Sequence, residues 1–276
     1  MTIDSLQKDY IQGALTGAAK HYTVQTYESV TSTNLLLKEM AQKGAPHGTV
    51  LLAEEQSAGR GRLGKRFFSP HATGVYLSVL VRSRISVQKA LCLTTGSAVA
   101  SAQAFEVITG NPMMIKWVND VYYNDRKVAG ILTESAVLSG GETLDWAVIG
   151  IGVNCMIPKD GFPEEIVARA GALFAEERPC RNELAAAMIN NIAQTVEQIE
   201  KSPRGNEHFI EEYRRRSYLT GKEITVLANP PYPARCVGID DDGALLVLRE
   251  NGECERLSAG DVSVLPHQER AGRGEN

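Results

Sequence analysis

Four cations fall within seven residues at Arg60, Arg62, Lys65 and Arg66, interleaved with Gly59, Gly61 and Gly64. Planar guanidinium forks suit phosphate or carboxylate, and glycine lets the backbone approach a ligand with no Cβ in the way. The run therefore reads as a local anion trap. Its plain alternative is a solvated loop whose charges balance Glu54 and Glu55.

Two more charged groups stand in apolar surroundings. In residues 115–120, Ile-Lys-Trp-Val-Asn-Asp, strand alternation predicts Lys116, Val118 and Asp120 on one face and Trp117 and Asn119 on the other. Lys127 heads the run Val128-Ala129-Gly130-Ile131-Leu132, where Gly130 allows close approach. Both lysines invite an anion, although an Asp120 pair with Lys127 or Lys116 at a hairpin end would equally account for them. Thr31-Ser32-Thr33-Asn34, before Leu35, is first of all a run of helix N-caps.

Two familiar nucleotide motifs fail on context. Residues 59–65 fit G-x-x-x-x-G-K, but Arg66 replaces the Ser or Thr that would hold magnesium. The following Phe-Phe-Ser-Pro leads to a strand rather than to a helix facing a phosphate. Gly150-Ile151-Gly152 begins like a dinucleotide fingerprint, yet Met156-Ile157-Pro158 cannot open the required helix.

The elements that must position these residues alternate. Strands are expected over 22–27, 49–53, 75–81, 114–123, 127–135 and 145–154, with helices over 35–42, 86–109, 182–200 and 207–216. The segments 114–123 and 127–135 should pair as a hairpin, and the basic loop should lie between two strands. The class is mixed α/β. From Gly221 short β segments divided by Pro230-Pro231 and Asp242-Gly243 predict a small second module. The expected division is 1–220, 221–266 and a disordered tail over 267–276.

Composition excludes several classes. With 29 basic and 33 acidic residues and a net charge of −4, no molecule-wide positive field is available for nucleic acid. The first nine residues carry acids where a signal peptide needs a basic and then apolar stretch, and no run of ~18 apolar residues stands out, so the expectation is a cytoplasmic protein without a membrane span. Five widely spaced cysteines and five histidines show no metal-ligand spacing. The cysteines are expected to be reduced and structural.

Taken in order, Ser32-Thr33-Asn34, the 56–65 segment, Lys116-Trp117-Val118-Asn119-Asp120, the 126–132 segment and Gly150-Ile151-Gly152-Val153-Asn154 resemble the biotin protein ligases over residues 22–265. The resemblance implies an α/β (α+β) mixed-sheet catalytic domain, related to class II aminoacyl-tRNA synthetases and lipoate ligases, and a small SH3-like β-barrel. It implies ATP and biotin as substrates, Mg²⁺, and a biotin carboxyl carrier protein as partner, with monomer and homodimer both open. Ser32, Thr33, Asn34 and Gln56 would form the biotin pocket. Arg60, Gly61 and Arg62 would belong to a loop closing over biotinyl-adenylate, and Lys127 would contact both the carboxylate and the phosphate. Arg62 and Lys127 would be catalytic. Arg60, Arg62, Lys65, Phe67, Lys116, Asn119 and Asn154 would serve the nucleotide, and Asp120 the metal.

Phe67 stands where the family often has Trp, and Val118 where it usually has Pro. A lipoate or octanoate ligase of the same fold is the nearest rival, which the ordered motifs disfavour. A biotin-responsive repressor is the rival from another class; 31 residues before Ser32 are expected to be too few for its DNA-binding module.

Overall fold

The computed structural model describes residues 4–176, 180–258, 260 and 262–264; the tail expected at 267–276 lies outside them. The chain opens with α1 (Lys8–Gly13), β1 (Thr23–Val30) and α2 (Thr33–Gln42). Ser32 caps α2, its hydroxyl accepting from Leu35 N at 3.5 Å, as the N-cap reading anticipates. β2 (Thr49–Gln56) and β3 (Gly74–Val81) then flank the basic loop.

The next helix, α3 (Ala90–Thr109), ends on Gly110 at φ 73°, a left-handed C-terminal cap. With the short turn before it, α3 is long and apolar enough to cross a membrane, a feature the composition scan passed over; about two-thirds of that stretch is buried in this fold. Its small residues allow close packing. A methyl at Gly96 would meet Thr195 and Phe209 at 2.7 and 2.9 Å.

The single strand expected over 114–123 is instead a hairpin. β4 (Met114–Lys116) and β5 (Asp120–Tyr123) pair with each other, Lys116 opposite Asp120. Lys116 and Asp120 do share a face, as a cross-strand pair rather than by alternation along one strand, while Val118 lies in the turn between them. Core packing overrides the period-2 pattern: Trp117 and Val118 are both 3% exposed, Trp117 Nε1 donates to Gly243 O at 3.0 Å and Tyr213 Oη to Val118 O at 2.9 Å. The expected turn to β6 (Arg126–Val137) forms at Asn124 and Asp125, which take φ 48° and 59°, a conformation these side chains tolerate.

β7 (Leu144–Asn154), α4 (Glu164–Val167), α5 (Arg181–Lys201) and α6 (Ile210–Arg215) complete the larger layer; α4 escaped the sequence reading because one turn shows no periodicity. The seven strands run β1-β2-β3-β7-β6-β5-β4, with β1 and β2 parallel and the others antiparallel. α3 and α5 cover one face of the sheet with the main core; α2 covers part of the other over Leu51, Leu80, Trp146 and Val148. Strand alternation continues this second face beyond the start of α2 through Ser78, Gly150 and Gly152, and through Gly130, Leu132 and Glu134.

Glu54 faces the main core and does not balance the basic loop. It accepts from the fully buried Arg181 at 2.7 Å and from Leu6 N at 2.5 Å, and Arg181 also donates to Gly74 O and Asp4 O. The network fastens the N-terminal segment and α5 to β2 and β3.

The expected C-terminal β segments form β8 (Glu223–Val226), β9 (Tyr232–Ile239), β10 (Leu245–Arg249) and β11 (Cys254–Leu257), joined by β12 (Val262–Val264). They build an antiparallel sheet of order β11-β10-β9-β8-β12. Asn206 Nδ2 to Asp241 O at 2.6 Å and Arg214 Nε to Ile239 O at 3.0 Å tie it to the larger layer. Cys254 is exposed and the other four cysteines are buried.

Candidate active site

The uncovered part of the α2 face carries a chain of polar side chains. Thr33 donates from its backbone N and its Oγ1 to Gln56 Oε1, at 2.9 and 3.2 Å. Gln56 Nε2 in turn donates to Ser69 Oγ at 2.9 Å. The fully buried Ser78 hydroxyl stands 2.8 Å from Thr33 Oγ1 and 2.6 Å from Asn34 Oδ1, sharing one proton between two acceptors. Asn34 Nδ2 donates to Leu132 O at 3.1 Å and Glu134 Oε2 at 3.3 Å. Thr33, Asn34 and Gln56 line a narrow cavity of about 20 Å³ with Ser32, Arg60 and Phe67, room for about one water.

Glycines make the space. A methyl at Gly150 would lie 1.8 Å from Asn34 Oδ1, and one at Gly152 would lie 2.5 Å from the Phe67 ring. The Gly150-Ile151-Gly152 pattern thus clears the sheet for an amide and an aromatic ring, not for a dinucleotide.

Arg60, Phe67, Gly130 and Leu132 also border a wider cleft of about 400 Å³. Every residue assigned above to the nucleotide lines that cleft, as do Gly61, Asp120 and Lys127. Lys127 gets there through a bulge. Val121 pairs with Ala129 and Tyr122 with Lys127, leaving Val128 as an extra residue on β6. Strict alternation would send Lys127 to the face of Ala129; the bulge re-aims it over Gly130. A methyl on Gly130 would meet Lys127 Nζ at 3.1 Å. Nζ itself stands 2.6 Å from Asp120 Oδ1, both side chains about a quarter exposed.

The basic loop is a small hairpin. Phe67 N donates to Gly59 O at 2.9 Å and Gly61 N to Lys65 O at 2.7 Å, while Leu63 takes φ 55° at the tip and is 70% exposed. Arg62 donates to Asn119 Oδ1 and to Gly260 O, each at 3.1 Å, and so bridges the β4–β5 turn to the C-terminal sheet. Phe67 lies edge-on to Tyr76, centroids 6.5 Å apart.

Sequence reasoning missed Ser78 and Glu134. Ser78 is one hydroxyl among β-formers and gives no signal alone. Glu134 was legible: it follows Gly130 and Leu132 at strand spacing as a charge in an apolar run. It accepts from Lys38 Nζ at 2.7 Å and stands 3.5 Å from Arg60 Nη2. Burial pushes its carboxyl up, but the bonds from Lys38 and Asn34 and the charges of Lys38 and Arg60 hold it below 4.5.

A polar pocket continuous with a cation-lined cleft suits an uncharged ring carrying a carboxylate that must meet a phosphate. Residues 26–154 match the model of the Biotin/lipoate A/B protein ligase family, and residues 219–265 that of the Biotin protein ligase C terminal domain. A Biotin--[acetyl-CoA-carboxylase] ligase of Mycobacterium tuberculosis is 34% identical over 84% of this chain and 85% of that protein. The Bifunctional ligase/repressor BirA of Bacillus spizizenii is 30% identical over 85% of this chain and 72% of its own. A biotin protein ligase from Aquifex aeolicus, solved with biotin and ATP, superimposes with a TM-score of 0.71 at 27% identity, over 88% of this chain and 99% of that one. The chain belongs to the biotin protein ligase family.

Proposed function

We propose that this chain activates biotin with ATP to biotinyl-5'-AMP and transfers the biotin to a lysine of a biotin carboxyl carrier protein. The observation that carries the reading is Lys127 over Gly130, at the junction of the hydroxyl-and-amide pocket and the cation-lined cleft. Biotin's ureido ring is neutral and needs the donors and acceptors that Ser32, Thr33, Asn34 and Gln56 supply. A lipoate or octanoate chain offers these groups no donor or acceptor and would leave their remaining hydrogen-bonding capacity unused.

In the first step a carboxylate oxygen attacks the α-phosphorus of ATP and pyrophosphate leaves. Negative charge grows on the phosphate oxygens, where Lys127 and Arg62 are fixed cations. Lys127 leaves Asp120 for the two anions it draws together. When bound with the triphosphate, Mg²⁺ would supply positive charge to offset that of the leaving pyrophosphate. Two carboxylates, Asp120 and Asp125, line the cleft; so sparse a set fits an ion that takes most of its ligands from phosphate and water, and Asp120 would hold it. In the second step the carrier amine, having lost its proton, attacks the acyl carbon and AMP departs.

The pocket's narrowness adds a requirement. Arg60 and Phe67 come from the basic hairpin, so residues 59–67 must swing outward for biotin to enter and return to cover the adenylate. Acid-dependent pyrophosphate release, measured with ATP and biotin, lipoate or octanoate in turn, tests the assignment. Biotin should be the acid that supports turnover; release with octanoate and none with biotin would overturn it.

A further inference from the structure

The polar groups of the pocket form a circuit that begins and ends on the basic hairpin. From Phe67 O it runs through Ser69 Oγ at 3.1 Å, Gln56, Thr33, Ser78 and Asn34 to Glu134. Glu134 then faces Arg60 at 3.5 Å, so both stems of the hairpin are wired to the pocket floor. Glu134 is where the circuit forks. One oxygen accepts from Asn34 Nδ2, while the other takes Lys38 and faces Arg60.

We propose that Glu134 is a positioning residue that sets the donor direction of Asn34 in the biotin pocket and latches the basic hairpin through Arg60. An amide side chain has one donor end and one acceptor end. Ser78 can satisfy either end of Asn34, because a hydroxyl both donates and accepts; the carboxylate of Glu134 accepts only. With the Leu132 carbonyl it fixes Nδ2 towards β6 and leaves Oδ1 towards Ser78. The Arg60 pair is partly exposed, the two side chains 44% and 18% accessible. A pair of that kind is weak, enough to bias a hairpin that must still open. Ligand entry breaks this contact by moving Arg60, so pocket occupancy and loop position are linked.

The role rests on the biotin assignment for its pocket half and is independent of it for its loop half. The test uses Glu134→Gln, which keeps size and removes the charge, beside Lys38→Met, which removes the partner that lies outside the cavity. Limited trypsin cleavage after Arg60, Arg62, Lys65 and Arg66 reads the latch without ligand. Glu134→Gln should raise the cleavage rate two- to fivefold and Lys38→Met should leave it unchanged. In steady-state assays Glu134→Gln should raise the KM for biotin about tenfold or more, with the KM for ATP and kcat within about threefold. If Lys38→Met reproduces both effects, Glu134 acts only by holding α2 against β6 and the proposal fails. Unchanged cleavage and an unchanged biotin KM in folded Glu134→Gln also overturn it. A wild-type chain that does not turn over biotin, with cleavage still faster in Glu134→Gln, would remove the biotin assignment and leave the latch standing.

Discussion

Lys127 Nζ stands 2.6 Å from Asp120 Oδ1, across a bulged pair of strands that turns both side chains into the cleft. If β6 ran through Val128 with strict alternation and no bulge, this lysine would point to the opposite face of the sheet. The pair is therefore built for the cleft, and its chemistry separates from its contribution to folding.

Lys127→Ala should slow single-turnover adenylate formation on the order of 10²–10³, about 3–4 kcal/mol, as for other preorganised charge-stabilising donors. Loss of a partly exposed ion pair should change stability by only about 1 kcal/mol. Thermal unfolding beside rapid-quench kinetics checks both. Near-normal turnover in a folded variant would reduce Lys127 to an ion-pair partner.

Gly150→Ala should damage biotin binding without touching the nucleotide cleft, because the added methyl would lie 1.8 Å from Asn34 Oδ1. Asn34 must then leave its place between Ser78 and Leu132. Isothermal titration should show biotin affinity reduced by at least about tenfold, the equivalent of one lost hydrogen bond in a buried site. Wild-type affinity would contradict the placement of Asn34 in the pocket.

The hairpin at residues 59–66 should become resistant to trypsin when biotin and ATP are added together. Its tip is exposed and it carries four cationic cleavage sites, and an anionic adenylate gives those charges a shared partner. Equal cleavage rates with and without the two substrates would count against loop closure.

Acid stability should depend on Glu106. Burial pushes its carboxyl up, but bonds from the buried Arg216 guanidinium and Met113 N–H hold it below the ordinary 4.5. A depressed folded value means that the stabilisation is fully present above 4.5 and is lost as pH falls through the lower folded value. Wild type should therefore lose stability below about pH 4.5 more steeply than Glu106→Gln, as urea midpoints across pH 3–6 would reveal. Parallel curves would remove Glu106 from the acid transition.

Much of this architecture was legible because single residues carried it. Ser32 announced the start of α2, Asn124-Asp125 the β5–β6 turn, and the switch to short β segments at Gly221 the second sheet. The β4–β5 hairpin was not legible. Its turn at Trp117 and Val118 exists because both side chains enter the core and meet Gly243 and Tyr213, partners 95 or more residues away. The bulge at Val128 was hidden for the same reason, since register belongs to a pair of strands and not to one. In the candidate site, charge and glycine spacing pointed to Arg60, Arg62 and Lys127, whereas Ser78 became visible only when β3 lay beside α2.

Joining of biotin to AMP in this cleft must precede its transfer to a protein. The most direct measurement is mass spectrometry of the purified chain with biotin and Mg-ATP, first alone and then with a carboxylase carrier domain. The expected result is biotinyl-5'-AMP held by the chain in the first reaction, and in the second a carrier heavier by one biotin at a single lysine. A carrier left unmodified, with no biotinyl-AMP formed from either mixture, would contradict it.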